Sequence, residues 1–91
     1  MQETEKSADI RRIQQMEQRF DALCAAMKSG EQGSEIETLA QELEAYYTGG
    51  QWLCDYERDE RGEWPADLKR GVLSQDALYD LLDMVARRKK R

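Results

Sequence analysis

Apolar side chains recur at Ile10, Ile13, Met16, Phe20, Leu23 and Met27, in steps of three or four residues. That spacing lays them along one face of an α-helix. From Ile13 the stripe fits an apolar a/d seam for two heptads. Ser7 or Asp9 is the expected cap at its start, and Gly30 its stop. Beyond the short loop Gly30-Glu31-Gln32-Gly33 a second stripe runs through Ile36, Leu39, Leu43 and Tyr46. Ser34 and Glu37 have the spacing of a capping box at its head. Two stripes of matching period joined by so short a loop predict an antiparallel helical hairpin. Neither arm is long enough to be stable alone, so each needs the other's apolar face.

Gly49-Gly50 interrupts the second stripe, and Thr48-Gly-Gly-Gln51 reads as another capping box. Trp52, Leu53 and Tyr56 then suit one face of a short third helix, ended by Gly62 and Pro65. The stretch from Glu63 to Val72 is expected to be an ordered loop anchored by Trp64, Leu68 and Val72. In the last helix Ser74 is the expected N-cap and Asp76 sits in the first turn. Leu73 staples to Leu78, and Leu78, Leu81, Leu82 and Val85 form the apolar face. Asp83 stands four residues before Arg87, a favourable helical pair. Val, Ile and Thr together number only eight and do not alternate. The fold class is therefore all-α: an antiparallel helical hairpin plus a short third helix and a C-terminal helix, a small helical bundle. The expected layout is a flexible N-terminus over 1–8, one helical domain over 9–86 and a basic tail over 87–91.

Composition adds that the core is thin. Only fifteen of 91 residues are Leu, Ile, Val or Phe, while Ala, Glu, Lys, Leu and Arg number 43, a helix-rich usage. A domain this small buries little surface, which leaves a homodimer open. There is no histidine, so neither a Ser-His-Asp or Cys-His centre nor a Cys/His zinc site can form. No apolar run is long enough to span a membrane. Met1 to Asp9 is polar and acidic, unlike a secretory signal, so a cytoplasmic protein is expected. Cys24 and Cys54 lack CxxC spacing and are expected as free thiols, with a disulfide between them left open.

The net charge of −5 is unevenly placed. Residues 87–91 carry +5 and residues 1–86 carry −10, with −8 between Glu31 and Glu63 alone. An acidic body repels nucleic-acid phosphates. The basic tail is read as the end of a helix whose dipole it complements.

The candidate chemistry lies in the second half of the chain. Six of the seven aromatic residues fall between Tyr46 and Tyr79, interleaved with Asp55, Glu57, Asp59, Glu60 and Glu63. Counted from Asp55, the acids miss the calcium-loop pattern: position 6 is Glu60 rather than Gly, and position 12 is Ala66 rather than Glu. Asp55 and Asp59 on one helical face have the chemistry to hold Mg²⁺ or Mn²⁺ with waters. A solvated face with a Glu57–Arg61 pair is the preferred reading, with no metal and no cofactor. Carboxylate acid–base catalysis assisted by Tyr56, Tyr47 or Lys69 is a formal alternative, but no nucleophile or phosphate-binding motif is present. Lys69 and Arg70 precede a helix start and are anion-binding candidates; internal pairing with the acidic segment is preferred. Trp52 and Tyr46 are expected inside, with Tyr47 or Trp64 nearer the surface.

The run of residues Tyr46-Tyr47, Trp52, Asp55-Tyr56-Glu57, Asp59-Glu60, Gly62 and Pro65 resembles a small bacterial family, a domain of unknown function. The similarity continues through Asp67-Leu68-Lys69-Arg70-Gly71-Val72-Leu73-Ser74, Asp76 and Tyr79-Asp80-Leu81-Leu82. It covers roughly Leu39 to Asp83, and Leu68 to Ser74 is its most distinctive part. Trp64 stands where the family is expected to carry a smaller apolar residue. The resemblance implies a compact helical, cytoplasmic, bacterial or phage-borne protein without an assigned activity.

The expected function is non-enzymatic: a protein–protein interaction or regulatory module. Its partner-binding candidates are Tyr47, Asp55, Tyr56, Asp59, Glu60, Glu63 and Trp64. A basic nucleic-acid-binding enzyme is one candidate partner, the acidic body then mimicking nucleic acid as an inhibitor. A metal- or carboxylate-using enzyme assembled in a dimer is the other alternative. Direct nucleic-acid binding and membrane binding are not expected.

Overall fold

The computed structural model describes residues 5–74 and 76–89. Four α-helices run in order, α1 over Glu5–Ser29, α2 over Ser34–Thr48, α3 over Gln51–Glu60 and α4 over Ala77–Lys89. A 3-10 turn at Gly71–Leu73 precedes α4, and no strand occurs among the described residues. The architecture is the expected all-α bundle built on an antiparallel α1–α2 hairpin. Helix thus covers Glu5 to Asp9 and reaches Lys89, into both stretches set apart as terminus and tail; residues 1–4 and 90–91 lie outside the described residues.

The two apolar stripes meet as their spacing requires. Ile13, Leu23, Leu43 and Tyr46 are buried, with Ile10, Met16, Phe20, Met27, Ile36 and Leu39 packed beside them. Arg19 on α1 bridges to Glu42 on α2 at 2.9 Å, clamping the outer side of the hairpin. The pair is partly solvated and adds little; the apolar seam carries the stability. At the foot of α1 the amides of Gly30 and Glu31 donate to the carbonyls of Met27 and Ala26. This Schellman arrangement satisfies carbonyls the helix leaves open.

Several expected caps are not the ones used. α1 begins at Glu5, so Asp9 lies inside it and its carboxylate pairs with Arg12 and Arg58. Gly33, not Ser34, takes the N-cap position of α2, without a side-chain cap bond. Gly50 likewise heads α3: the Thr48 hydroxyl donates back to Glu44 O, and the Gln51 amide turns to Asp55. Hydroxyls and amides have local alternatives to capping, and here those win. Ser74 closes the 3-10 turn, while α4 starts three residues later, directly after Asp76, whose carbonyl accepts from Asp80 N–H.

The second half of the chain packs across the hairpin through the 3-10 turn, which touches α1, α3 and α4. Val72 is fully buried, and its peptide groups are held from both sides. Its N–H donates to Glu17 on α1 at 2.7 Å, and its carbonyl accepts from Trp52 Nε1 on α3 at 2.8 Å. α4 adds Leu78, Leu81 and Val85 to the same core and makes the expected Asp83–Arg87 pair. No helix among the described residues is long and apolar enough to cross a membrane. Cys24 and Cys54 are both free thiols, the former half-buried. Burial pushes the Cys24 thiol up, with the Asp21 charge adding to it.

Candidate functional site

Helix α3 turns its two faces to different tasks. Trp52 and Asp55 stand three residues apart and both face inward. Asp55 is wholly inaccessible, and four donors converge on it. Arg12 donates from Nε at 3.2 Å to Oδ2 and from Nη2 at 2.7 Å to Oδ1, a forked guanidinium–carboxylate pair. The Tyr46 hydroxyl donates to Oδ2 at 2.6 Å, and Gln51 Nε2 to Oδ1 at 3.2 Å. Burial, reinforced by the bond to Asp55 and its charge, raises the Tyr46 phenol far above its ordinary value, so it stays a donor.

A second layer surrounds this centre. Asp9 joins Arg12 at 2.8 Å to Arg58 at 2.6 Å. The Arg58 hydrogen bond is the main cause holding Asp9 below the ordinary carboxylate range, against its partial burial, with Arg12 assisting. Arg58 also reaches Glu63 at 2.9 Å and lies 4.3 Å above the Trp64 ring, a cation–π contact. Glu63 is lowered by its hydrogen bonds from Arg61 and then Arg58. Trp64 is 4% exposed, and its Nε1 donates to Asp55 O at 3.0 Å. The Glu63–Trp64 segment is set by the end of α3, where Gly62 takes φ 72°. There Gly62 N–H and Glu63 N–H donate to Asp59 O and Arg58 O. Only glycine adopts this backbone at no steric cost.

The expected acidic and aromatic surface is therefore divided. Asp55 and Trp64 are interior, which corrects the placement of both on a docking surface. Asp55 shares the inner face with Trp52, and Trp64 shields the Asp55 carbonyl. Glu63 is committed to Arg58 and Arg61. Asp59 pairs with Arg70 at 2.6 Å, so Arg70 turns inward as the internal reading held. Lys69 is exposed, but the groove it borders also holds Asp67, Asp21 and Glu17, a setting for cations rather than anions. Tyr47, Tyr56 and Glu60 remain at the surface. Tyr47 leans on Trp52 with ring centroids 4.9 Å apart, and Tyr56 stacks on Trp52 at 5.0 Å. Burial, followed by the neighbouring Glu60, raises the Tyr56 phenol.

Two residues, Leu53 and Glu17, sit where the sequence pattern alone does not place them. Leu53, expected to pack with Trp52, is 52% exposed. With Tyr56, Glu57 and Glu60 it forms one stripe at i, i+3, i+4 and i+7 along α3. Glu17 follows Met16 directly and flanks the α1 stripe between Ile13 and Phe20, and a carboxylate held at the edge of an apolar stripe is itself a signal. Among the described residues no three carboxylate or thiol groups lie close enough to hold a metal ion. The Asp55 oxygens in particular already face four donors. A groove of about 680 Å³ lies away from α3 at the hairpin turn, over Met27, Ile36, Val85 and Arg88.

The model of the family described as a domain of unknown function (DUF4298) matches residues 13–87, and the chain belongs to that family. The match takes in most of both hairpin arms, Asp55 with Tyr46 and Gln51, and most of α4, and it begins one residue after Arg12. No curated protein and no solved structure matches the chain.

Proposed function

We propose that this member of DUF4298 works by binding a protein partner through the outer stripe of α3. Tyr47, Leu53 and Tyr56 form the apolar centre, with Glu57 and Glu60 as its acidic rim. The observation that carries the reading is the exposed Leu53 beside two half-buried tyrosines, on a helix whose other face is fully engaged. Aromatic groups already held by stacking lose little freedom on binding, which suits them to anchor a contact. The cations at the end of α3 are engaged beyond the stripe: Arg58 turns to Asp9, Glu63 and Trp64, and Arg61 pairs with Glu63. The matching partner surface is an apolar knob ringed by Lys or Arg.

A binding role fits the interior better than catalysis does. Its most deeply buried acid, Asp55, faces donors from within the chain, and a catalytic acid or base needs a face open to substrate. The nucleic-acid-mimic reading is weakened by the same pairing. Of the five acids from Asp55 to Glu63, three are matched internally by Arg12, Arg70, Arg58 and Arg61. The remaining two do not trace a phosphate path.

Affinity capture from native lysate, run in parallel with the wild type and with Leu53→Ala/Tyr56→Ala, tests the proposal. A species held by the wild type and lost from the double variant at unchanged helicity is the expected result. Capture of the same species by both would refute this face. Glu57→Gln/Glu60→Gln should weaken capture mainly at low salt.

A further inference from the structure

Among the described residues two charged side chains are buried, Asp55 and Glu17, and only the first is neutralised from within. Glu17 is 9% exposed and receives one hydrogen bond, from the neutral Val72 amide to Oε1. Among the described residues no cation lies within ion-pairing distance of it, and Oε2 accepts no hydrogen bond. That oxygen is not sealed off from solvent. A carboxylate so far removed from water carries a desolvation cost that an opposite charge ordinarily offsets.

Glu17 lines a groove of about 460 Å³ between α1 and the segment 67–69. Gln14, Gln18 and Asp21 line the helix side, and Asp67, Leu68 and Lys69 the other. Three carboxylates against one ammonium give the groove a net charge of −2. No ion pair among the described residues involves any of these four. Gly71 is fitted to the acid: a Cβ there would stand 3.1 Å from Glu17 Oε2 and 3.5 Å from the Phe20 ring. Glycine at 71 lets the carboxylate lie against the backbone without contact strain. The acids are too dispersed to ligate a bare metal ion, so the fitting cation is one that spreads its charge over several N–H donors.

We infer that this groove receives an arginine side chain from a protein partner. A guanidinium presents five N–H donors in a plane. It can meet the open Glu17 oxygen and the amide oxygens of Gln14 and Gln18 together, with Asp21 and Asp67 supplying the surrounding field. Half-buried Leu68 offers apolar surface for the methylene stem. The site lies on α1, separate from the α3 stripe, and does not depend on it.

The test uses the full chain, uniformly ¹⁵N-labelled, titrated at constant ionic strength with N-acetyl-arginine amide, N-acetyl-lysine amide and N-acetyl-citrulline amide. Saturable shifts of the Leu68 and Val72 amides with the arginine probe alone are expected. Asp21→Asn/Asp67→Asn should weaken that binding about threefold to tenfold, and Lys69→Ala, removing the competing cation, should tighten it about threefold. Glu17→Gln keeps an acceptor for Val72 and should abolish saturation with the melting temperature held; Leu53→Ala should leave the titration unchanged. Shifts spread evenly over all acidic residues would overturn the site, as would binding indifferent to Asp21→Asn/Asp67→Asn. Equal binding of the lysine probe would overturn the guanidinium assignment.

Discussion

The two buried carboxylates of the described residues, Asp55 and Glu17, are treated in opposite ways. Asp55 is enclosed by Arg12, Tyr46 and Gln51, with Asp9, Arg58 and Trp64 as a second layer. Glu17 holds one amide and faces a groove. The first arrangement joins α1, α2 and α3 by a network in which each group has a partner. The second pins the 3-10 turn and leaves charge unspent. A buried acid can thus serve as an internal fastener or as an open receptor, and the number of donors around it separates the two.

The widest gap between them should appear on truncation. Asp55→Ala strands the Tyr46 hydroxyl and removes the forked partner of Arg12. We expect a loss of about 3 kcal/mol or more, since breaking a buried pair leaves a charge uncompensated. The urea midpoint reads it, and a loss under about 1 kcal/mol would mean the network is not the fastener described. On the Glu17 side, Gly71→Ala should cost about 1 kcal/mol by crowding the carboxylate. In a Glu17→Ala background the same change should be nearly free, and equal costs in both backgrounds would show that Glu17 is not what Gly71 accommodates.

Charge removal without truncation sharpens the contrast. Glu17→Gln keeps the Val72 bond and deletes an unpaired buried charge, so stability should hold or rise by up to about 1 kcal/mol. Asp55→Asn should lower it, because Arg12 then faces a neutral group. If both isosteric changes move the melting temperature in one direction, the comparison fails. The gentlest test is pH. Asp9 and Glu63 are held below their ordinary values by the arginines. The stability they contribute is present above the ordinary carboxylate range of about 4 and is lost as pH falls through their lower folded values. The melting temperature should be flat from about pH 5 to about pH 8 and decline below about pH 4. It should decline again at alkaline pH, where the buried Tyr46 phenol and Cys24 thiol ionise more readily in the unfolded chain. The Asp9→Asn variant should show a shallower decline; an identical profile would remove Asp9 from the account.

How far the sequence could be read follows from the same contrast. The hairpin was legible because Ile13, Leu23, Leu43 and Tyr46 repeat at helical spacing, and packing such stripes needs no detail beyond period and loop length. Asp55 was not, because a carboxylate within Asp-Tyr-Glu-Arg-Asp-Glu looks solvated, and the arginine that neutralises it lies 43 positions earlier. Its placement three residues after Trp52 was the available hint. Trp64 misled for a related reason: its neighbours Glu63 and Pro65 suggest surface, yet a cation from α3 and a carbonyl acceptor draw the ring inward. The expected caps at Ser34, Thr48 and Ser74 differ from those used by small shifts, and at Thr48 the hydroxyl is drawn to the Glu44 carbonyl instead. Glu17 stands beside the α1 stripe, next to Met16, but its meaning depends on Val72, 55 residues away.

Val72 lends the molecule a natural gauge. Its amide proton can leave for solvent only when the Glu17 clasp lets go, and its carbonyl is released only when the indole of Trp52 withdraws. Exchange of that single proton therefore times the parting of the late half of the chain from the early arms. If those halves separate before the bundle melts, this one resonance will fade while amides along the α1–α2 seam still persist.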